Sequence, residues 1–320
     1  MAITANSLSG MLQVFAQKSL NAFLADMPPK ELFTENFDES ISNAGISVTT
    51  RIPTTVYGSL NDLGVSGWES AQASSSAVTI TLATKGHDHP FSVTEWSTIT
   101  PSILENLYFP ILAKQTANGI TVDALNNLTS SVYTTTLTGT PANFNVTGAY
   151  SLQSASVELT KKEIPQSDRY AIVSPTVYQG LTNNVLPTYV LGSPDVVRNY
   201  GYASTTEWQG LRLINIPTFQ YPRFYDASLP YGGDKYASTH TDKLVGVVGH
   251  KQALVLAART PIPMNTGLIQ SYEAVDPTSK LSLQFIVAFD QSKPMWRIGT
   301  YSLFGTNAGN TKAAVLVLST

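Results

Sequence analysis

The sequence predicts an α+β chain, and three observations carry the prediction. Apolar residues recur at three- and four-residue spacing in residues 7–27, 101–133 and the stretch that begins at residue 151, as amphipathic helices require. Shorter runs at 46–52, 77–84 and 281–290 alternate apolar and polar residues, the period of a half-buried strand. Between them lie long stretches rich in Thr, Ser, Asn, Gly and Pro, which read as turns and loops.

Composition bounds what such a chain can do. At 320 residues it can bury a substantial core. It is 42% hydrophobic but only 13% charged, about half the usual globular share of ~25%. So few charges suggest large protein–protein contacts, because an isolated surface normally carries more. The formal net charge is −3, leaving no basic excess to grip nucleic-acid phosphates. Cysteine is absent, which excludes disulfides, thiol catalysis and thiolate metal sites. No basic n-region opens the chain, and Lys18 interrupts its apolar stretch, so no secretory signal is expected. No run approaches ~20 apolar residues, so no membrane span is expected.

In chain order, residues 7–27 form a helix through Leu8, Met11, Leu12, Phe15, Leu20, Phe23 and Leu24, closed by Pro28-Pro29. Two readings stand: a helix packed on its own domain, or an arm lying on a neighbouring subunit through residues such as Phe15. Residues 31–43 are polar, with Leu32, Phe33, Phe37 and Ile41 as anchors. In the strand at 46–52, Ile46, Val48, Thr50 and Ile52 share a face; Val78, Ile80 and Leu82 do so in the strand at 77–84. The Gly/Ser/Asn-rich tip between them, 58–76, carries Leu60, Leu63, Val65 and Trp68. Such an extended hairpin cannot bury both faces alone and needs a partner surface. Lys85–His89 reads as a polar turn beside Pro90. On a strand its His87-x-His89 pair would share a face, but a metal site needs a third ligand that only His240, His250 or distant carboxylates could supply. A long helix follows over 101–133, with a kink or break expected near Pro110 or Gly119.

Residues 134–150 read as a linker. The unit at 151–181 is helix, turn, strand, helix. Leu152, Ala155 and Leu159 share a face, Pro165 stops the helix, and 166–169 is a polar turn. Tyr170–Val173 is a strand covered on both faces. The chain is then loop-rich to Tyr236, apart from a strand over 211–217. Aromatics crowd this region, including Tyr189, Tyr200, Tyr202 and Trp208. They suit contacts at a symmetry axis or, as the rival reading, a sugar-binding platform. Residues 243–259 read as a strand, then a short helix over 252–258. A four-strand meander closes the chain at 269–275, 281–290, 295–304 and 313–318.

Catalytic signatures are missing. There is no Gly-x-Ser-x-Gly, no Gly-x-Gly-x-x-Gly, and Gly246, Gly249 and His250-Lys251 lack P-loop spacing. A pair of distant carboxylates stays open as a glycosidase reading.

The unit at 151–181 resembles the axial-domain core of tailed-phage major capsid proteins with the HK97-like fold. Pro165, Asp168-Arg169, Ile172-Val173, Ser174-Pro175 and Tyr178 carry the match. The strand ending at Pro217 resembles another strand of that family; His250, Ala253, Ala257 and Arg259 fit the next one. The run LSLQFIVAFDQSKPMWRIGTYSLFGT resembles its peripheral-domain strands, with Tyr301, Leu303, Phe304 and Gly305 in the last role and Gly299 where an acidic residue often sits. Asp123 fits the family's helix end, although a solvated helix position is the favoured reading.

The resemblance implies an N-terminal arm (1–45), an extended loop (46–98), a peripheral domain (99–133 and 266–320) with a long spine helix, and an axial domain (134–265). About 45 residues precede the extended loop, too few for a fused scaffolding domain. The expected function is self-assembly, through pentamers and hexamers, into an icosahedral head enclosing double-stranded DNA without sequence-specific binding. Expected partners are copies of the chain itself, portal and scaffolding proteins, and a decoration protein, with no membrane. Assembly is expected in a bacterial cytoplasm, the protein ending in the virion capsid. No catalysis, cofactor or metal is expected. Intersubunit candidates are Phe15, Leu60, Leu63, Trp68, Tyr189, Tyr200, Tyr202 and Trp208; Pro110 and Gly119 are candidates for flexing the spine helix. The rival is a carbohydrate-binding β-rich virion or secreted protein built on 189–236.

Overall fold

A computed structural model of the chain describes residues 5–27, 32–54, 74–139, 152–174, 178, 206–208, 211–215, 243–266 and 268–319. In order the elements are α1 (Ala5–Asp26), β1 (Phe33–Ser42), β2 (Ser47–Thr54), β3 (Ser74–Thr81), β4 (Ala83–Ser92) and α2 (Val93–Thr98). α3 (Pro101–Ile103) runs through a π-helical segment (Leu104–Tyr108) into α4 (Phe109–Leu125). Then come β5 (Thr136–Gly139), α5 (Leu152–Lys161), β6 (Arg169–Val173), β7 (Thr206–Trp208), β8 (Leu211–Asn215) and β9 (Leu244–His250). β10 (Leu254–Pro261), β11 (Ile269–Val275), β12 (Ser282–Asp290), β13 (Met295–Ala308) and β14 (Ala314–Ser319) complete the chain.

Two six-stranded sheets organise these elements. The first runs β1-β10-β13-β12-β11, with β4 also pairing along β13; all its pairings are antiparallel except β1 with β10. The second runs β5-β14-β9-β6-β8-β7. β6 and β9 at its centre are buried at every position, which is why they read as unbroken apolar runs. β2 and β3 form a separate two-stranded hairpin. Gly45, at φ 88°, makes the turn from β1 into β2, where its N–H donates to the Leu82 carbonyl at 2.7 Å.

Several expectations need correction. The polar stretch at 31–43, for which the sequence pattern predicts no element, holds strand β1, anchored as read by Phe33 at 1% exposure, while Ile41 is exposed. The residues read as a polar turn at 85–89 sit inside β4, and the linker read at 134–150 contains β5. The helix expected at 252–258 is strand β10. Leu and Ala favour helices in isolation, but here Leu254, Leu256 and Ala258 enter the main core. Val255 and Ala257, on the opposite face, enter a second apolar cluster. A strand between two neighbours and between two apolar layers gains more from burial than propensity can offset. β14 leaves the expected meander and pairs with β5 and β9 in the second sheet. β1, β4 and β10 join the first sheet, and β14 the second.

The long helix is continuous through Gly119; its irregularity lies before Pro110. Pro110 has no N–H and crowds the carbonyl four residues back, and the Phe109 N–H donates to the Leu104 carbonyl, five residues back. The helix at 152 ends at Lys161, before Pro165, through Glu163 at φ 62°. As read, Leu152, Ala155 and Leu159 are its buried face.

Candidate assembly surfaces

Two surfaces stand out. The first is the hairpin. Ile52, Val78, Ile80 and Leu82 pack on Val255, Ala257 and Leu303 of the first sheet, forming a cluster distinct from the main core. The partner surface that a hairpin requires is thus supplied, for its described strands, by the same chain. Asn307 Nδ2 donates to the Thr79 carbonyl at 2.9 Å, and Asn36 Nδ2 to Thr50 Oγ1 at 2.7 Å. The other face is polar: Ser47 lies opposite Thr81, and Thr49 opposite Thr79, all exposed. β2 ends at Thr54 and β3 begins at Ser74; Leu60, Leu63 and Trp68 belong to the intervening segment, outside the described residues.

The second surface is the long helix. Its inner face is made of small residues, Ala113, Thr116, Ala117, Thr121 and Ala124 among Phe109, Leu112, Ile120 and Leu125. These let it lie close to β13, where Thr116 Oγ1 and Thr300 Oγ1 meet at 2.9 Å. Its outer face leaves Ile103, Leu107 and Ile111 exposed at 42%, 50% and 46%. They are four residues apart, so they form one ridge. A row of large apolar side chains left in water marks a contact surface. The signal for it was in the sequence: the apolar residues of 101–133 cover more than one helix face. A shorter apolar group, Ile262 and Met264 with Leu268, is exposed between β10 and β11.

Phe15 is buried within its own chain. It is 2% exposed, its ring 5.4 Å from Phe109, and α1 packs on α4 and β11 of its own chain. The Lys18–Glu105 ion pair joins α1 to the long helix. Trp208 lies in β7, with its side chain outside the description; Tyr189, Tyr200 and Tyr202 lie outside the described residues altogether. Gly119 sits inside regular helix facing the His87 imidazole.

His87 and His89 share a strand face, but it lies against the long helix. The His89 ring is 4.7 Å from Phe91 and 5.1 Å from Tyr108. Among the described residues, no three His, Asp or Glu side chains are grouped to hold a metal. No described helix is long and apolar enough to cross a membrane.

Where charge is buried, it braces the second sheet. Arg169, read as part of a turn, is 4% exposed. Its guanidinium donates to the carbonyls of Pro165 (2.8 Å), Ser156 (3.0 Å) and Ile164 (2.5 Å) and to the hydroxyls of Ser156 and Thr160 (both 3.0 Å). It therefore ties the end of α5 to the start of β6, while burial lowers its pKa. Beside it His250 is 5% exposed, and burial pushes its imidazole below the ordinary histidine value. Its Nδ1 accepts from the Gln252 N–H at 3.2 Å. Burial likewise raises the phenols of Tyr133 and Tyr170; the Tyr133 hydroxyl donates to the Ala253 carbonyl at 2.5 Å.

No protein-family model matches the chain, and no curated protein matches it in sequence. Its fold does match solved structures. The capsid of cyanophage P-SCSP1u superimposes with a TM-score of 0.51 at 15% identity, covering 90% of this chain and 86% of that one. The mature capsid of bacteriophage PhiM1 gives 0.51 at 11% identity, covering 89% and 85%. The structure from Gordonia phage Cozz gives 0.51 at 13% identity, covering 90% and 85%. The chain has the fold of these phage structures, two of them capsids, and the resemblance to tailed-phage capsid proteins holds at that level.

Proposed function

We propose that the chain is the major capsid protein of a tailed phage, a structural protein that self-assembles through pentamers and hexamers into an icosahedral head around double-stranded DNA. The observation that carries this reading is the whole-chain fold match, over 90% of this chain and 86% of the cyanophage capsid chain. A low charge content and an exposed apolar ridge on the long helix support it, since both suit a surface meant to be covered. In this reading Ile103, Leu107 and Ile111 meet a neighbouring subunit. Residues 55–73 between β2 and β3, with Leu60, Leu63 and Trp68, clamp an adjacent copy. The segment at 104–108, made irregular by Pro110, is where the spine helix flexes. The region around 189–236 gathers near a symmetry axis, and portal, scaffolding and decoration proteins are the expected partners.

The test is deletion of residues 58–73, which leaves β2 and β3 whole. The deleted chain should keep its circular dichroism spectrum and lose shell formation by negative-stain microscopy. Normal shells from it would remove the clamp role.

A further inference from the structure

We propose that Gly305 is a positioning residue: it is the floor on which the β2–β3 hairpin sits, and it sets the direction in which that hairpin leaves the subunit. The inference rests on the reading of the hairpin as an assembly arm.

The geometry is specific. Gly305 lies on β13, paired with Ala257 of β10 and directly beneath β3. A Cβ on Gly305 would stand 2.5 Å from the Thr81 carbonyl oxygen and 2.6 Å from Ile80 Cγ2. Gly309 also lies near the hairpin, where a Cβ would stand 2.8 Å from Ile52 Cδ1, although its tightest contact would be with the Gln252 carbonyl oxygen. No carbon atoms pack at such distances, and the Thr81 contact is to backbone, which cannot turn aside as a flexible side chain does. Any side chain on Gly305 must therefore lift the hairpin. What it lifts is a small separate cluster, closed on its other face by Ser and Thr, so the displacement need not open the main core. Elements with little apolar contact open locally without global unfolding.

The experiment compares the full chain with Gly305→Ala by hydrogen–deuterium exchange and by microscopy of the particles. Exchange over 47–54 and 74–82 should rise ~10-fold or more while β12 keeps its protection, since opening is local. Shells should be lost or malformed. Ile80→Thr loosens the seat from the hairpin side, leaves β13 untouched and keeps a β-branched residue. It should give the same pattern, and it decides the matter where Gly305→Ala does not fold. Unchanged hairpin exchange in Ile80→Thr, or normal shells from a loosened hairpin, overturns the proposal. If the unaltered chain forms no particles, the capsid reading fails instead, and exchange still reports on the seat.

Discussion

The two faces of the first sheet are held differently. Toward α1 and α4, β10 and β13 contribute Leu254, Leu256 and Phe304 to a core that continues through the second sheet. Toward the hairpin, Val255, Ala257 and Leu303 meet Ile52, Val78, Ile80 and Leu82, with half-buried Val48 packed against them. One face belongs to the main core; the other seats the β2–β3 hairpin. A shell protein needs this division under the proposed function, because its extensions must move during assembly while its body stays folded.

The largest expected effect comes from damaging the first face. Phe109 is fully buried, its ring 5.4 Å from Phe15 and 5.7 Å from Phe285, so Phe109→Ala should cost about 3–5 kcal/mol in chemical denaturation. Folding and assembly should fail together.

Arg169→Met comes next. It removes a buried cation but strands the carbonyls of Pro165, Ser156 and Ile164, for a loss of about 3 kcal/mol in urea unfolding. A neutral outcome would mean that water replaces the guanidinium and that α5 and β6 do not depend on it.

Ile52→Ala probes the second face. Its loss is capped by the docking energy of the hairpin, so global unfolding should weaken by only about 2 kcal/mol, at the low end for such a truncation. A loss matching that of Phe109→Ala would make the two faces equivalent and break the comparison.

The smallest effect is a pH dependence. Burial lowers the folded pKa of His250, so the unfolded chain takes up the proton first as pH falls. Stability should be intact above about pH 6.5 and decline from there toward the lowered folded value. His250→Asn keeps an acceptor for the Gln252 N–H and should flatten this decline in thermal melts at pH 5–8.

Much of the architecture was legible because burial on one face leaves a period. The helix at 152 and the strand at 47 follow directly from such patterns. β10 was misread because a strand buried on both faces has no period, and Leu254–Ala258 then looks helical. β14 has clear strand character, but nothing local tells a strand which sheet to join; that is decided by its pairing with β9, some seventy residues earlier. The hairpin seat was invisible for a related reason. Gly305 shows in the sequence only as a small residue after an apolar run, and the approach of the Thr81 backbone from distant sequence shows what its missing side chain permits. The ridge at Ile103, Leu107 and Ile111 was written in the sequence, as apolar residues on a second helix face.

The most direct measurement is analytical ultracentrifugation of the expressed full chain, with electron microscopy of whatever sediments fast. Self-assembly predicts pentameric or hexameric rings and closed shells formed by this chain alone or with a scaffolding protein. A species that stays monomeric at every concentration, with and without such a partner, and binds glycans instead would contradict it.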